Sequence, residues 1–316
     1  MKEATKRNTV NKELKERINK ELSWTFRTPR RTREYAIIDL LASYKSCETQ
    51  LKTNNIKKYI IKPKSKQAKR QNISISYETS YILNGKLRLS DKLSEIKMAE
   101  KIPDGPLTNN GRIVRESGYY YINLPRFVEL KKRDCIVTDK IASIDLGVNI
   151  FGVSYNPDGE WSEIGINMKK RLQEIYDKES RIEKKLTGRK KNRAIYRWEN
   201  KIVNLINDAQ YKMIHWLLSR NKHILISRLY VRKVNKQLKR LFNDMRHCQF
   251  VDRLKYKAMF YEGRTIHEIK EHYTSSVCTK CGSMDVIKGK TIKCNKCGWE
   301  IHRDLSGSIA IIIKHL

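Results

Sequence analysis

The pattern of apolar and polar positions divides the chain into a helical start, a strand-rich middle and a long α/β stretch. Residues 1–53 favour helix, and in residues 31–51 apolar positions recur every three or four residues behind Pro29. Residues 56–125 carry short runs rich in β-branched and aromatic residues, with Asn84-Gly85 and Ser117-Gly118 as turn signals. Several short strands in such a length predict a small barrel or sandwich.

From residue 139 the pattern predicts alternating strands and helices. A strand is predicted at IASIDLGVN, and the turn Asn156-Pro157-Asp158-Gly159 joins the strands that follow it. The further predicted elements are helices at about 167–186 and 193–219, a strand at HILISRLYV, a helical stretch at about 234–260, a strand at RTIHEIKE and a helix at about 303–315. Such alternation indicates an α/β domain.

Charge restricts the class of partner. The chain has 316 residues, with 67 Lys and Arg against 34 Asp and Glu, so its formal charge is +33. Because the excess is spread along the chain, a polyanion is needed to offset its self-repulsion, and nucleic acid is the first candidate. An anionic membrane surface is the other candidate partner. No apolar run approaches the roughly 20 residues of a spanning helix, and the N-terminus lacks an apolar signal-peptide core.

The seven cysteines indicate a metal site instead of a disulfide framework. Cys47, Cys135 and Cys248 stand alone, so we interpret them as packing residues in a reducing compartment. The other four form two CxxC pairs separated by twelve residues, and a Gly follows each pair. Two such turns supply the four thiolates of a tetrahedral structural zinc site. The paired residues are Cys278, Cys281, Cys294 and Cys297.

Two aspartates are candidates for catalysis. Asp145 lies in an apolar strand beside a tight turn, where a charge is costly unless it is paired or bound to a metal. Asp304 lies at the start of the last predicted helix, where it could equally be an N-terminal cap or dipole partner. Tyr119, Tyr120 and Tyr121 could stack on bases or face a core, and the pattern leaves both interpretations open.

The order of several motifs resembles a known family. DLGVN, LKYKAMF, YTSSVCTKCG and KCNKCGWEIHRDLSGSIAI follow one another from Asp145 onward. This order resembles the RuvC-type nuclease domain of the TnpB and Fanzor families, which are transposon-associated, RNA-guided DNA endonucleases. The resemblance is specific over residues 139–316 and weaker over residues 1–138. It implies that Asp145 is the first catalytic carboxylate and Asp304 the last.

The sequence departs from the family pattern where a third carboxylate is expected. Most TnpB sequences have a Glu at the end of the strand after the long helices, and here Ser227 occupies that place. A hydroxyl cannot bridge two divalent cations as a carboxylate does. By resemblance to Fanzor proteins and some TnpB relatives, Glu271 supplies the missing ligand. Glu268 is a weaker candidate, because it lies three residues away and faces the other side of the strand. In the last motif His302 and Ser306 replace an Asp and an Asn.

The resemblance implies an α/β fold: an RNase H-like (RuvC) nuclease domain with an inserted zinc ribbon, behind a helical segment and a small wedge-like β-barrel. It also implies that Asp145, Glu271 and Asp304 bind two catalytic Mg²⁺ ions. The expected divisions are 1–54 (helical, recognition-like), 55–138 (wedge-like barrel), 139–274 (nuclease domain, first part), 275–300 (zinc ribbon, target nucleic-acid binding) and 301–316 (nuclease domain, last part).

The expected function is RNA-guided DNA cleavage. The implied partners are a guide RNA of the omega type and double-stranded target DNA, with one protein per RNA and no membrane. We expect an intracellular location, in the nucleus for a eukaryotic or viral host and in the cytoplasm or nucleoid for a bacterium. Two alternatives remain: a nuclease-dead, RNA-guided DNA-binding repressor, because of Ser227, and a zinc-ribbon RNA-binding protein with no guide function. A Holliday-junction resolvase fits less well, since it has no need of the long basic N-terminal third.

Overall fold

The computed structural model describes residues 16–17, 20–65, 68, 70–90, 93, 95–127, 140–227, 236–269, 277–287 and 289–315. The chain divides into two compact units, Met1–Val128 and Glu129–Leu316. Within the described residues, no helix combines the length and apolarity needed to cross a bilayer.

The first unit begins with a helical segment, as the sequence predicts. A short 3-10 helix at Ser23–Arg27 precedes α1, Arg30–Lys52. No described residue of α1 is fully buried, and its apolar positions are largely exposed, with Leu41 at 40 % and Tyr44 at 43 %. The helix contacts the strand that follows it, and Arg112 donates a 2.9 Å hydrogen bond to Asp39 on α1.

Seven short strands complete the first unit. They are β1 Arg70–Ile75, β2 Tyr81–Leu83, β3 Lys86–Arg88, β4 Ile96–Lys97, β5 Gly105–Pro106, β6 Gly111–Glu116 and β7 Tyr119–Asn123. Among the described residues they pair as a three-stranded sheet, β1-β6-β7, and a four-stranded sheet, β4-β3-β2-β5. One apolar cluster, which includes Ile75, Ile82 and Leu87, joins the two sheets. The arrangement is thus two packed sheets, and these strand pairings do not close the barrel expected from the sequence.

Both predicted hairpins of the first unit are confirmed. Asn84 and Gly85 join β2 to β3 with positive φ angles of 51° and 67°, and Ser117 and Gly118 join β6 to β7 at 48° and 84°. Such angles suit Asn and Gly, which tolerate the left-handed region. The tyrosines at positions 119–121 are 51 %, 72 % and 49 % exposed, so their rings do not belong to a core.

The second unit has eight strands and five helices among its described residues. They are β8 Ile141–Leu146, β9 Gly152–Tyr155, β10 Trp161–Ile164, α2 Met168–Lys185, α3 Gly188–Arg220, β11 His223–Ser227, α4 Lys236–Met245, α5 His247–Ala258, β12 Thr265–Ile269, β13 Val286–Ile287, β14 Thr291–Cys294, β15 Glu300–His302 and α6 Arg303–His315. The predicted α/β alternation is confirmed.

One predicted helix is divided in two. The stretch at about 234–260 breaks at Arg246, whose φ of 54° lies in the left-handed region and cannot continue a helix. The break separates α4 from α5 and allows both to pack on the same sheet. The α3 helix also begins at Gly188, before the predicted start near residue 193.

A five-stranded mixed sheet, in the order β10-β9-β8-β11-β12, forms the centre of the second unit. The strands β8, β9 and β10 are antiparallel neighbours, whereas β11 is parallel to β8 and β12 is parallel to β11. The strands β13–β15 form a separate small antiparallel sheet. The large sheet therefore consists of an antiparallel meander joined through β8 to two parallel strands.

The two faces of the large sheet carry different layers. On one face, Ile144 and Leu146 of β8 and Ile224 of β11 pack with residues of α2–α5 in the main apolar core. On the other face, Leu225 of β11 packs with Ile311 of α6 in a smaller cluster. Alternation of side chains along each strand separates the two sets, and α6 covers the second face.

Candidate functional site

Strand alternation places Asp145 on the sheet face that α6 covers. Ile144 and Leu146, its neighbours in β8, belong to the core on the opposite face. Ser143, two positions before Asp145, donates a 2.7 Å hydrogen bond to the Ser308 carbonyl of α6. The Asp145 side chain is partly buried and points in the same direction as that of Ser143.

A glycine of α6 makes room for the Asp145 carboxylate. A Cβ atom built on Gly307 would lie 2.2 Å from Asp145 Oδ2 and 3.1 Å from its Cγ. The helix backbone at this point is therefore in direct contact with the carboxylate. Ser308, the next residue, donates a 2.8 Å hydrogen bond to the Val153 carbonyl and holds α6 against β9.

The same helix brings Asp304 to this place. Asp304 lies in the first turn of α6, three residues before Gly307, and is partly buried. Residues three apart lie on one helix face, about 5–6 Å from Cβ to Cβ. Because Gly307 contacts Asp145, the two predicted catalytic aspartates share one small region at the carboxyl end of β8. The first turn of a helix also favours negative charge.

Ser227 lies at the end of β11 beside this region. The last paired position between β11 and β8 is Ile226 with Ile144, so Ser227 comes alongside Asp145 on the neighbouring strand. Its side chain is fully buried. A residue at this position is thus well placed to contribute to the site, but the chain supplies a hydroxyl there.

Glu271 lies outside the described residues. The described part of β12 ends at Ile269, whose side chain packs with Leu225 and Ile311 on the face that α6 covers. Glu268 belongs to the opposite face, where it forms an ion pair with Lys255 of α5. The structure therefore places Glu268 away from the two aspartates, as its spacing predicts.

The four cysteines of the CxxC pairs come together. Their sulfur atoms all lie within 4.8 Å of one another, with 3.7 Å between Cys278 and Cys297 and 3.6 Å between Cys281 and Cys294. A tetrahedron with metal–sulfur bonds of about 2.3 Å has edges of about 3.8 Å. The cluster thus has the size and chemistry of a four-thiolate zinc site.

Two matching backbone turns build the cysteine cluster. The Gly282 amide donates a 2.9 Å hydrogen bond to the Cys278 carbonyl, and the Gly298 amide does the same to the Cys294 carbonyl. Both glycines have positive φ, 73° and 69°, which a residue with a Cβ atom rarely adopts. Each turn directs its two thiols to one point, as the CxxC-Gly spacing predicts.

Gly307 is the residue of this region that sequence reasoning missed. A glycine inside a helix costs about 1 kcal/mol relative to alanine, so its presence in the Ser306-Gly307-Ser308 run of α6 was a signal of close approach.

Ser306 is fully buried on α6, whereas His302 is exposed at the end of β15.

Comparison with known proteins finds two matching regions in the second unit. A family model described as Probable transposase matches residues 134–238, which include Asp145 and Ser227. A second model, described as Cas12f1-like, TNB domain, matches residues 247–311, which include the cysteine cluster and Asp304. Together the two matches include the strands of the large sheet, the cysteine cluster and most of α6.

Individual relatives come from large viruses. The TnpB-like protein L770 of Acanthamoeba polyphaga mimivirus is 25 % identical over 287 residues, which cover 83 % of this chain and 53 % of that protein. The putative transposase A625R of Paramecium bursaria Chlorella virus 1 is 23 % identical over 314 residues, with 93 % of this chain and 71 % of that protein covered. The chain thus spans about half the length of the mimivirus relatives that it matches.

Among solved structures, the Cas12f chain of a CRISPR-Cas12f ternary complex aligns with this chain at a TM-score of 0.45 and 17 % identity. The alignment covers 65 % of this chain and 45 % of the Cas12f chain. Through the matched transposase and TNB regions and these viral relatives, the chain is similar to the TnpB-like transposase family.

Proposed function

We propose that this protein is an RNA-guided DNA endonuclease of the TnpB type, with the rearranged catalytic glutamate typical of Fanzor proteins. One observation carries the proposal: the Asp145 carboxylate lies against Gly307, one turn of helix from Asp304. Two carboxylates from distant parts of the sequence rarely share such a place unless they are paired or bind a cation. The formal charge of +33 supports a polyanionic substrate and a bound RNA.

The proposed fold is RNase H-like. Its support is the sheet order β10-β9-β8-β11-β12, with an antiparallel meander and two parallel strands, and a helix on the face that holds Asp145. The cysteine cluster, with structural zinc, would be a ribbon inserted between β12 and α6. In this scheme residues 1–54 and 55–138 are the recognition-like and wedge-like parts that bind the guide RNA and a short flanking DNA motif, with one protein per RNA.

The carboxylates fit magnesium. Carboxylate oxygens are hard ligands, and two-metal nucleases bind their ions through them. Bound there, magnesium would activate a water molecule and neutralise charge that develops on the phosphate. Asp145, held by the sheet and Gly307, and Asp304, held by the first turn of α6, would fix the ligand positions.

Glu271 is the proposed third carboxylate. It lies two positions after Ile269, and residues two apart in a strand share a face. Ile269 packs on the face that holds Asp145, so the spacing favours the same face for Glu271. Lys255 already pairs with Glu268 on the other face, which leaves Glu271 as the better candidate of the two.

A nuclease-dead, RNA-guided DNA-binding protein is the second candidate. The observation that favours it is Ser227, a buried hydroxyl alongside Asp145 at the position where the resemblance to TnpB proteins implies a glutamate. Without a third carboxylate the site would bind magnesium weakly, while RNA and DNA binding would persist. This candidate predicts DNA binding without cleavage.

The two candidates are separated by a cleavage assay on the protein purified with its own RNA. The bound RNA is sequenced, and a DNA duplex library that contains the matching target next to randomised flanks is incubated with the complex and Mg²⁺. We expect cleavage by the wild type, and a loss of at least about 1,000-fold for Asp145→Asn and for Glu271→Ala. Binding of RNA and DNA by both variants should be unchanged, since neither removes a phosphate contact.

Glu268→Ala is the matched control, because it removes a carboxylate from the same strand but from the opposite face. It should cut like the wild type. If the wild type binds the target but never cuts it, the nuclease-dead candidate is correct. If Glu271→Ala cuts normally while Asp145→Asn does not, another residue is the third ligand.

A further inference from the structure

A two-helix projection of the second unit carries a strong positive charge. It consists of the end of α2, the connecting turn and the start of α3, residues 180–201, which we call the basic arm. The last fully buried residue of α2 is Glu179 and the first of α3 is Ile202, and no residue between them is fully buried. The first part of α3, Gly188–Lys201, alone measures about 20 Å at 1.5 Å per residue.

The charge of the basic arm is dense and of one sign. It contains nine cationic side chains against only two acidic ones, Glu183 and Glu199. The cations are Arg181, Lys184, Lys185, Arg189, Lys190, Lys191, Arg193, Arg197 and Lys201. So many like charges on one projection repel each other unless a polyanion lies against them.

The basic arm is an ordered structure and not a loose tail. Its two helices pack on each other, and Trp198 lies at the base of their seam, against the main core. The ammonium groups of Lys178 and Lys201 lie 5.8 Å and 5.0 Å from the centre of the Trp198 ring, which is within range of a cation–π contact. The cations of the arm are therefore held on a fixed scaffold.

The direction of α3 places the basic arm beside the catalytic edge of the sheet. The α3 helix ends at Arg220, and the Lys222 amide then donates a 2.8 Å hydrogen bond to the Lys140 carbonyl, next to the start of β8. Since β11 follows at once and is parallel to β8, α3 runs antiparallel to β8. Its first residues thus project beyond the opposite end of β8, where Asp145 lies.

We infer that the basic arm binds the sugar-phosphate backbone of the DNA duplex that is delivered to Asp145 and Asp304. This inference rests on the proposed function for the identity of the duplex. Its own support is the charge of the arm and the edge of the sheet from which it projects. Contacts of this kind hold any DNA sequence and set the position of the duplex, while base pairing with RNA would select the target.

The test is a salt-dependence measurement. The variant Arg189→Gln, Lys190→Gln, Lys191→Gln, Arg193→Gln removes four charges from the tip of the arm, of which only that of Lys191 is on a partly buried residue. Its binding to a fluorescent 30-base-pair DNA duplex is measured by anisotropy between 50 and 300 mM KCl, with the protein carrying its co-purified RNA. We expect affinity at least about tenfold weaker at the higher salt, and a plot of log K against log salt that is shallower by up to about 3.6, or 0.9 per lost contact.

A matched control removes the same total charge elsewhere. Lys86, Lys140, Lys212 and Lys255 each have an acidic partner within ion-pair distance, so their change to Gln should leave the salt slope unchanged. A second variant, Glu183→Gln with Glu199→Gln, makes the arm more positive and should tighten DNA binding. Because this variant changes the charge of the arm in the opposite direction, a gain in its DNA affinity would show that charge, and not misfolding of the first variant, explains the weaker binding.

The inference is overturned if the tip variant and the control bind DNA alike. It is also overturned if the tip variant instead loses its co-purified RNA, because the arm would then hold the guide. Cleavage is scored separately: a wild type that binds DNA with the expected slope but never cuts contradicts the proposed nuclease and leaves the role of the arm supported.

Discussion

The two candidate metal sites of this chain are built in opposite ways. The cysteine cluster takes its four ligands from one short segment, and each half is a local turn closed by its own backbone hydrogen bond. The carboxylate site takes Asp145 from the first strand of the sheet and Asp304 from the last helix, and they meet only because α6 packs on the sheet through Gly307. The first site depends on local geometry, and the second on the packing of the whole unit.

The largest expected effect is the loss of zinc from the cysteine cluster. Structural zinc contributes about 10–16 kcal/mol of apparent binding free energy in small zinc modules. Cys281→Ser should therefore abolish zinc binding and unfold the ribbon, while the core around Ile144 and Ile224, which shares no residue with the ribbon, stays folded. The zinc content, measured by mass spectrometry, should fall from about one zinc ion per chain to none.

Hydrogen exchange locates the damage of the zinc-free variant. Amides of β14 should lose protection, and those of β8 and β11 should keep it. Cys248→Ser is the control, because Cys248 lies outside the cluster and its loss should leave the zinc content unchanged. Cys248 is exposed, so the packing role predicted for it is wrong. If Cys281→Ser also removed protection from β8, the ribbon and the large sheet would be one cooperative unit, and the contrast between a local and a global site would be wrong.

Acid should affect the two regions by different routes. In the ribbon, protons compete with zinc for the thiolates. In the core, His247 is buried beside Phe151 and Phe242, at centroid distances of 4.7 Å and 5.4 Å. Burial lowers the pKa of His247 from 6.5 to about 4. The unfolded chain thus binds this proton first, so the stability from a neutral His247 is complete above pH 6.5 and is lost as the pH falls toward 4.

The expected size of the His247 effect is about 3 kcal/mol of unfolding free energy between pH 6.5 and 4. His247→Phe keeps an aromatic ring in the same pocket and removes the proton site. Denaturant unfolding is followed by a probe in the core. Between pH 6.5 and 4, the unfolding free energy of the variant should fall by about 3 kcal/mol less than that of the wild type. Equal slopes for the two proteins would mean that folding does not change the pKa of His247.

The contrast between the sites also explains what the sequence could predict. CxxC spacing, the glycines after each pair and the 3.6-residue period of α3 are local signals, and the cysteine cluster and most elements follow from them. The break at Arg246, whose φ is left-handed, was missed, and residues of both α4 and α5 lie in the same apolar core. Nothing local at Arg246 marks a turn.

The convergence of Asp145 and Asp304 could be proposed only through the family resemblance. No period or spacing links residues so far apart, since their meeting depends on the order of strands and on which face α6 covers. Gly307 was a local signal that pointed to close packing, but not to the partner. Its position against Asp145 Oδ2 is a fact of tertiary structure alone.

Gly307→Ala has the smallest expected effect in free energy, and it tests the carboxylate site directly. A Cβ at this position would lie 2.2 Å from Asp145 Oδ2, so the carboxylate or the helix must move by about 1 Å. A displacement of this size costs about 100-fold in the rate of an enzyme that depends on exact positioning, or about 2.7 kcal/mol. Cleavage by the RNA-loaded protein should therefore fall about 100-fold, while its zinc content and DNA affinity stay unchanged.

Stability separates this effect from general damage. Alanine is favoured over glycine inside a helix by about 1 kcal/mol, which offsets part of the steric cost, so the midpoint of unfolding should change little. Gly289→Ala in the ribbon is the control, because its added Cβ would come no closer than 3.3 Å to another atom. If Gly307→Ala cut DNA at the wild-type rate, the contact between α6 and Asp145 would not position the carboxylate, and the argument for a site built by packing would lose its main support.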